Sequence, residues 1–223
     1  MYGRIQKVVV ICFCVLIAVG IMTSINKSFE TDKNPINVAA EQANVEDDSI
    51  PAIEPPEEVI RKYFNFINLR QYENAHSLLF DISKKTTSVD DLKLIYHNPA
   101  SVSVEKIFGT KITGSVAVVG VAAKLTFSEA KGEFYIKSPY GLKRVKGNWY
   151  IVLDPMDNEK DRTIEKQMEQ EQYDEIMNDK QLKEYYEWLS SQNSKFTKEN
   201  PSFVAKMQED AEIVNQHDKQ NRQ

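Results

Sequence analysis

Cysteine is nearly missing: the 223 residues hold two, Cys12 and Cys14, close together near the N-terminus. That excludes a disulfide framework and a cysteine-rich zinc domain. Three histidines leave little for a histidine metal site. Only 8 glycines and 8 prolines exclude a collagen-like chain. A basic excess is also lacking, since the net charge is -5, so the chain as a whole is no nucleic-acid binder. Apolar runs of membrane length are missing with one exception, which excludes a polytopic membrane protein. What is present is 41% apolar and 10% aromatic residues. That is enough for a packed core and excludes a wholly disordered chain. The length suits one domain with appendages or two small domains.

The mean charge conceals blocks of opposite sign. Residues 23–58 carry 2 basic and 9 acidic side chains, residues 59–154 carry 14 and 8, and residues 155–223 carry 10 and 16. A basic middle between acidic flanks divides the chain into physical units. Residues 1–25 read as a cytoplasmic tip and a transmembrane anchor. Residues 8–25 are free of charge, and 18 helical residues span about 27 Å, close to a bilayer's hydrocarbon core. A cleaved signal peptide is the other reading. Ala18 and Gly20 have its small-residue spacing, but Ile21 and Met22 continue the apolar run, which favours a retained anchor. Cys12 and Cys14 follow Ile11 and Phe13, not the small residue that lipidation needs. Arg4 and Lys7 before the span place the N-terminus in the cytoplasm and residues 26–223 outside, a single-pass cell-membrane topology.

Residues 26–55 read as a flexible acidic linker, with Asp47-Asp48, Pro35, Pro51 and Pro55 and no apolar period. At Pro56 the pattern changes. A proline and the acids Glu57 and Glu58 start a helix. Val59, Ile60, Tyr63, Phe64 and Ile67 follow on one face. A break at Asn68 to Gln71 precedes a helix from Tyr72 to Phe80. Ser88 with Asp91 caps another, Val89 to Tyr96. After Pro99 the period becomes alternating. One strand holds Val102, Val104 and Phe108. Ile112 to Phe127 is rich in Val and Ala, with Gly114 and Gly120 marking a turn, a bulge or a close approach. Phe134, Ile136 and Tyr140 form a third strand. Lys146-Gly147-Asn148 turns into the closing strand Trp149 to Leu153, with Trp149 and Ile151 on the core face. The expected fold is α+β: N-terminal helices packed on a curved antiparallel sheet, over residues 56–155.

Two stretches of this domain resemble the nuclear-transport-factor-2-like superfamily, in its bacterial exported, membrane-anchored members. One is VIRKYFNFINLRQYENAHSLL, with Tyr72-Glu73-x-Ala75-x-x-Leu78-Leu79 after a polar break. The other is the closing Val145-Lys146-Gly147-Asn148-Trp149-Tyr150-Ile151-Val152. The resemblance covers residues 56–155 and implies a cone-shaped sheet curled around an N-terminal helix pair. Some members are isomerases or dehydratases, which need a shifted carboxylate or histidine in an apolar cavity with an acidic donor opposite. Candidates are His76, His97, Asp81 and Glu133, with Tyr63, Tyr135, Tyr140 or Tyr150 as donors. Nothing pairs them at a recognisable spacing, and no metal or phosphate motif accompanies them. No catalytic, cofactor or metal residue is assigned.

Two clusters remain. Lys137, Lys143, Arg144 and Lys146 read either as a solvated edge or as a basic patch for an acidic partner. Residues 156–223 are an acidic helical extension, one long helix from 157 to 193 and a short one from Asn200-Pro201. Leu182, Tyr185, Tyr186 and Leu189 lie at i, i+3, i+4 and i+7 beside Trp188. They form a stripe that packs on the domain or serves a protein partner or self-association. The function expected is a non-catalytic, membrane-anchored, extracytoplasmic binding or assembly protein of the bacterial cell envelope, such as a conjugation or secretion-channel component or a cell-wall-associated one. The alternative is a small-molecule isomerase or hydrolase using the cone.

Overall fold

In the computed structural model the described residues are 54–209. The tip, anchor and most of the linker lie outside them. Among the described residues, no helix is long and apolar enough to cross a membrane.

The N-terminal helix, α1 (Pro56–Asn68), starts as the sequence predicts, with Glu57 and Glu58 in its first turn. It buries Val59, Ile60, Tyr63, Phe64 and Ile67. Arg70 ends it in the left-handed region, φ 59°. The Arg70 guanidinium donates to the Tyr96 and Pro99 carbonyls, so the break is fastened to the start of the sheet.

The second helix, α2 (Tyr72–Ser77), is shorter than its periodicity suggests. Leu79 and its neighbours leave the helix because their backbone is used elsewhere. The Ile151 amide donates to the Leu78 carbonyl at 2.9 Å, and the Phe80 amide donates to the Ile151 carbonyl at 2.8 Å. This parallel bridge binds the helical layer to the last strand. A short α3 (Asp81–Thr86), not expected from the sequence, follows. Then comes α4 (Val89–Ile95), with the expected capping box: Ser88 Oγ accepts from the Asp91 amide at 3.1 Å, and Asp91 Oδ2 accepts from the Ser88 amide at 2.7 Å.

Four antiparallel strands run in order: β1 (Pro99–Thr113), β2 (Val116–Phe127), β3 (Glu133–Val145) and β4 (Asn148–Val152). The stretch from Ile112 to Phe127 is therefore the end of β1, a turn at Gly114 with φ 58°, and the whole of β2. Three register shifts bend β1 against β2. The sheet closes on α1, which touches β1, β2 and β4. Trp149 and Ile151 face the core, as the alternation requires.

The C-terminal extension departs most from the sequence reading. The long helix is two, α5 (Glu159–Asn178) and α6 (Lys180–Glu199). Asp179 breaks it, because its side chain accepts from the Leu182 amide at 2.9 Å and caps α6. Residues 201–209 form α7. These helices are not an appendage. Both α5 and α6 lie on the outer face of the sheet, and Phe196, Val204 and Met207 enter the main core. The cause is in β2, where every residue from Val116 to Ala123 is buried. A strand buried on both faces needs a layer on each.

Candidate functional site

The space between α1 and the sheet comes first, because a cavity enzyme would act there. Side chains occupy it. Tyr63, Phe64, Tyr96, Phe134, Tyr140 and Trp149 are all buried in one cluster with the aliphatics of α1 and the sheet. Phe64 meets Tyr63 edge-on at 5.5 Å and Tyr140 at 5.7 Å between ring centroids. The Tyr63 hydroxyl is raised well above its ordinary pKa, first by burial and then by Tyr140. A phenol so placed stays neutral over the whole physiological range.

The other candidate acids and bases do not join it. His76 is half-buried in α2, with Nε2 3.0 Å from the Thr87 carbonyl. His97 and Asp81 are exposed. Tyr150 is half-buried under the Lys84 ammonium, 5.3 Å from its ring centroid. Tyr135 and Glu133 bond each other under α6, away from α1. Among the described residues, no His, Cys, Asp and Glu cluster could hold a metal ion.

The four basic residues do not share a surface. Strand alternation and the hairpin separate them. Lys143 is buried on the outer face, where Nζ donates to Asp161 Oδ2 at 2.7 Å and to Ser115 Oγ at 2.8 Å. Lys137 lies under α6, its Nζ 3.8 Å from the Tyr186 ring centroid and bonded to Ser190 Oγ. Arg144 is half-buried on the opposite face, against Trp149. Only Lys146, in the β3–β4 turn, is exposed. An exposed patch of all four is thus corrected: two of its members are contacts of the extension.

The apolar stripe is likewise turned inward. Leu189 is fully buried against Ala122 and Tyr135, while Leu182, Tyr185 and Tyr186 are half-buried. Phe108 receives Tyr185 and Tyr186 at 6.2 and 5.7 Å between centroids. The stripe docks on its own sheet, so Leu189 is no part of a free partner face. Between α5, α6 and the sheet remains a cavity of about 130 Å³, lined by Phe108, Lys137, Glu169, Gln172, Ile176 and Tyr186 among others.

What α6 leaves outside is Trp188, which the sequence places beside the stripe and not in it. Trp188 is 43% exposed and stacks on Tyr185 at 5.5 Å and 27°. Tyr135 flanks it at 5.7 Å. Charges ring this platform. Lys106 Nζ lies 4.7 Å from the Tyr185 centroid. Lys124 bridges Glu133 at 3.2 Å and Glu105 at 3.6 Å. The Tyr135 hydrogen bond, helped by Lys124, holds the Glu133 carboxyl below its ordinary pKa. Burial first, and Glu133 second, raise the Tyr135 hydroxyl. A stacked indole and phenol framed by fixed charges of both signs offers an apolar ring face with a polar rim at the surface. The signal in the sequence was Tyr185 and Trp188 three residues apart, on one side of a helix.

No protein family and no curated protein matches the chain. Solved structures similar to it include a SEC-C motif containing protein from Rhodopseudomonas palustris, at 13% identity and TM-score 0.40, covering 46% of this chain and 79% of that one. A putative scytalone dehydratase from Novosphingobium aromaticivorans is 16% identical at TM-score 0.32, covering 43% and 75%. An M. tuberculosis LEH-like epoxide hydrolase is 12% identical at TM-score 0.28, covering 50% and 89%. At these values the likenesses lend this chain no activity.

Proposed function

We propose that this chain is a non-catalytic binding or assembly protein of the bacterial cell envelope. It is anchored by residues 8–25 and displays a nuclear-transport-factor-2-like domain outside the cytoplasm. The observation that carries the reading is the filled cone. Tyr63, Phe64, Phe134, Tyr140 and Trp149 occupy the space that a substrate would need. The curled sheet around α1 supports the superfamily placement, and the charge-free N-terminal run with Arg4 and Lys7 supports the topology. The binding surface is the Tyr185–Trp188 platform, and its partner is a protein of the envelope or a second copy.

The full chain in bacterial membranes provides the test. It should stay in the membrane after carbonate extraction and be digested by external protease. Trp188→Ser should leave thermal stability unchanged and abolish recovery of the partner, or of the oligomer, seen with the unaltered chain. Saturable turnover of an enolisable ketone or an epoxide, lost in Tyr63→Phe, would overturn the reading in favour of an isomerase or hydrolase.

A further inference from the structure

An amine and two carboxyl groups meet where α5 begins on the outer face of the sheet. The side chains of Lys143 and Asp161 are 7% and 13% exposed. Two bonds fix the Lys143 ammonium: Nζ donates to Asp161 Oδ2 at 2.7 Å and to Ser115 Oγ at 2.8 Å. The surroundings are apolar. Lys143 lies opposite Val116 in the sheet, so the two share a face. On that face Val116, Val118, Val152, Met156 and Met168 form one cluster. The second carboxyl group is Glu165, only 4% exposed. It follows Asp161 by one turn on the same side of α5. Gly141 stands two residues before Lys143, on the same face of β3. It makes room for Glu165, because a Cβ there would collide with Oε1. A buried lysine, a buried aspartate against it and a neighbouring glutamate thus share one water-poor site.

We propose that Lys143 and Asp161 condense to an intramolecular amide, with Glu165 carrying the protons. The salt bridge is the reactant state. One proton passes from Nζ through Glu165 to the Asp161 carboxylate, leaving a neutral amine and a neutral acid. Nζ then attacks Asp161 Cγ, and the N–C bond forms. Glu165 takes a second proton from Nζ and hands it to the departing hydroxyl. The C–O bond breaks and water leaves. An ammonium and a carboxylate become an amide and one water, with no oxidant or other reactant. Two features of the site drive the step. Holding two charges out of water is costly, and a neutral amide removes both. The fold also holds amine and carboxyl in contact, which replaces a bimolecular encounter. Cys12 and Cys14 are the only cysteines, so no disulfide ties this domain. The amide would tie β3 to the start of α5 and keep the outer helices from peeling off the sheet. This proposal does not depend on what the Trp188 platform binds.

The pair stabilises as ions too, so mass is the readout. The full chain, purified in detergent and then denatured, should weigh one water less than its sequence by mass spectrometry. Trypsin should release a branched peptide joining Lys143 to Asp161, which separates the amide from a cyclised aspartate. Lys143→Met and Asp161→Ala should each have the full mass of their sequence. Glu165→Gln should form the amide about a hundredfold more slowly, the usual size of a general acid–base contribution. Freshly made Glu165→Gln should therefore stay at full mass. An unaltered chain at full mass would overturn the proposal and leave a salt bridge only. So would a missing water without the branched peptide. Unslowed bonding in Glu165→Gln would overturn the part given to Glu165.

Discussion

On the concave face of the sheet, α1 sets Val59, Ile60, Phe64 and Ile67 against Phe134, Leu142 and Ile151. On the outer face, α5 sets Asp161, Glu165 and Gln172 against Lys143 and the glycine backbone of β2 and β3. The first closure is apolar on both sides and gains from surface removed from water, about 25 cal/mol per Å². The second joins small apolar clusters, Met156 and Met168 on Val116 and Val118 and Leu189 on Ala122, to a fit of polar groups. Gly141 and Gly120 make room for it, since a Cβ there would lie 2.0 Å from Glu165 Oε1 and 2.5 Å from Gln172 Oε1. Gln172 Nε2 donates to the Gly109 carbonyl at 2.8 Å.

Further along, α6 continues the polar closure at an edge. β4 pairs only with Gly141–Val145, so the first half of β3 has no strand beyond it. Asn193 stands in for one: Oδ1 accepts from the Tyr135 amide at 2.8 Å, and Nδ2 donates to its carbonyl at 2.7 Å. Seven residues on, Asn200 grips the Lys131 backbone in the same two-handed way, at 2.8 and 2.9 Å. Asn193, on α6, thus does for an exposed edge what another strand would do, and Asn200, just past the helix, ties down the loop that leads into β3. The comparison teaches that one sheet can hold one layer by apolar area and another by a mixture of apolar contacts and polar groups fitted to its backbone. The second is less forgiving of single changes, because each group removed orphans another.

Substitutions on each face sharpen the contrast. On the concave face, Trp149→Ala should cost about 3–5 kcal/mol by chemical denaturation, the usual result of emptying a buried aromatic site. An unchanged midpoint would mean that the register of β4 is wrong. On the outer face, Asp161→Ala should cost up to about as much, roughly 3–5 kcal/mol, because it takes the Asp161 carboxylate away from the buried Lys143 ammonium. Lys143→Met/Asp161→Met should recover most of that loss. If the double variant is no better than the single one, the pair is not the unit described.

Smaller effects should follow the glycines. Gly141→Ala should destabilise by about 1–3 kcal/mol, since Glu165 must move. Gly109→Ala, whose Cβ would meet Gln172 only at 3.8 Å, should do much less. Glu165→Ala in the Gly141→Ala background should restore part of the loss, as neighbours in contact are not additive. The smallest effect is a pH dependence at the platform. Glu133 has a lowered folded pKa, so its contribution is present above about pH 4.3, the unfolded value. It is lost as pH falls through the lowered folded value. Glu133→Gln should therefore flatten, slightly, the decline of melting temperature on acidification below that point.

The concave half was legible because its code is apolar periodicity. Val59 to Ile67 at helical spacing, and Trp149 and Ile151 at strand spacing, give the helix, the closing strand and the core face. The outer half was obscure because its code is polar. Asp161, Glu165, Met168, Gln172 and Ile176 recur at helical spacing and all are buried, yet three of the five are polar. A search for apolar stripes passes over them. Two signs were present in β2 and β3: an unbroken apolar run from Val116 to Ala123, too long for a strand with one wet face, and Gly120 and Gly141 inside strands. The shortening of α2 was not legible, since its cause is a bridge to Ile151, more than 70 residues away. At the candidate site, Tyr185 was visible as part of a stripe. Which side of α6 stays wet, and so the role of Trp188, depends on where the helix docks.

The central claim is that the polar outer layer belongs to the fold and is not an appendage. The most direct measurement is cooperative unfolding of two chains that both begin at residue 54, one ending at 155 and one at 223. The account predicts that the shorter chain, with Val118, Ala122 and Tyr135 uncovered, shows no cooperative transition or binds hydrophobic dye as a loosened state. A shorter chain that unfolds cooperatively, with the midpoint of the longer one, would contradict it and make residues 156–223 an independent extension.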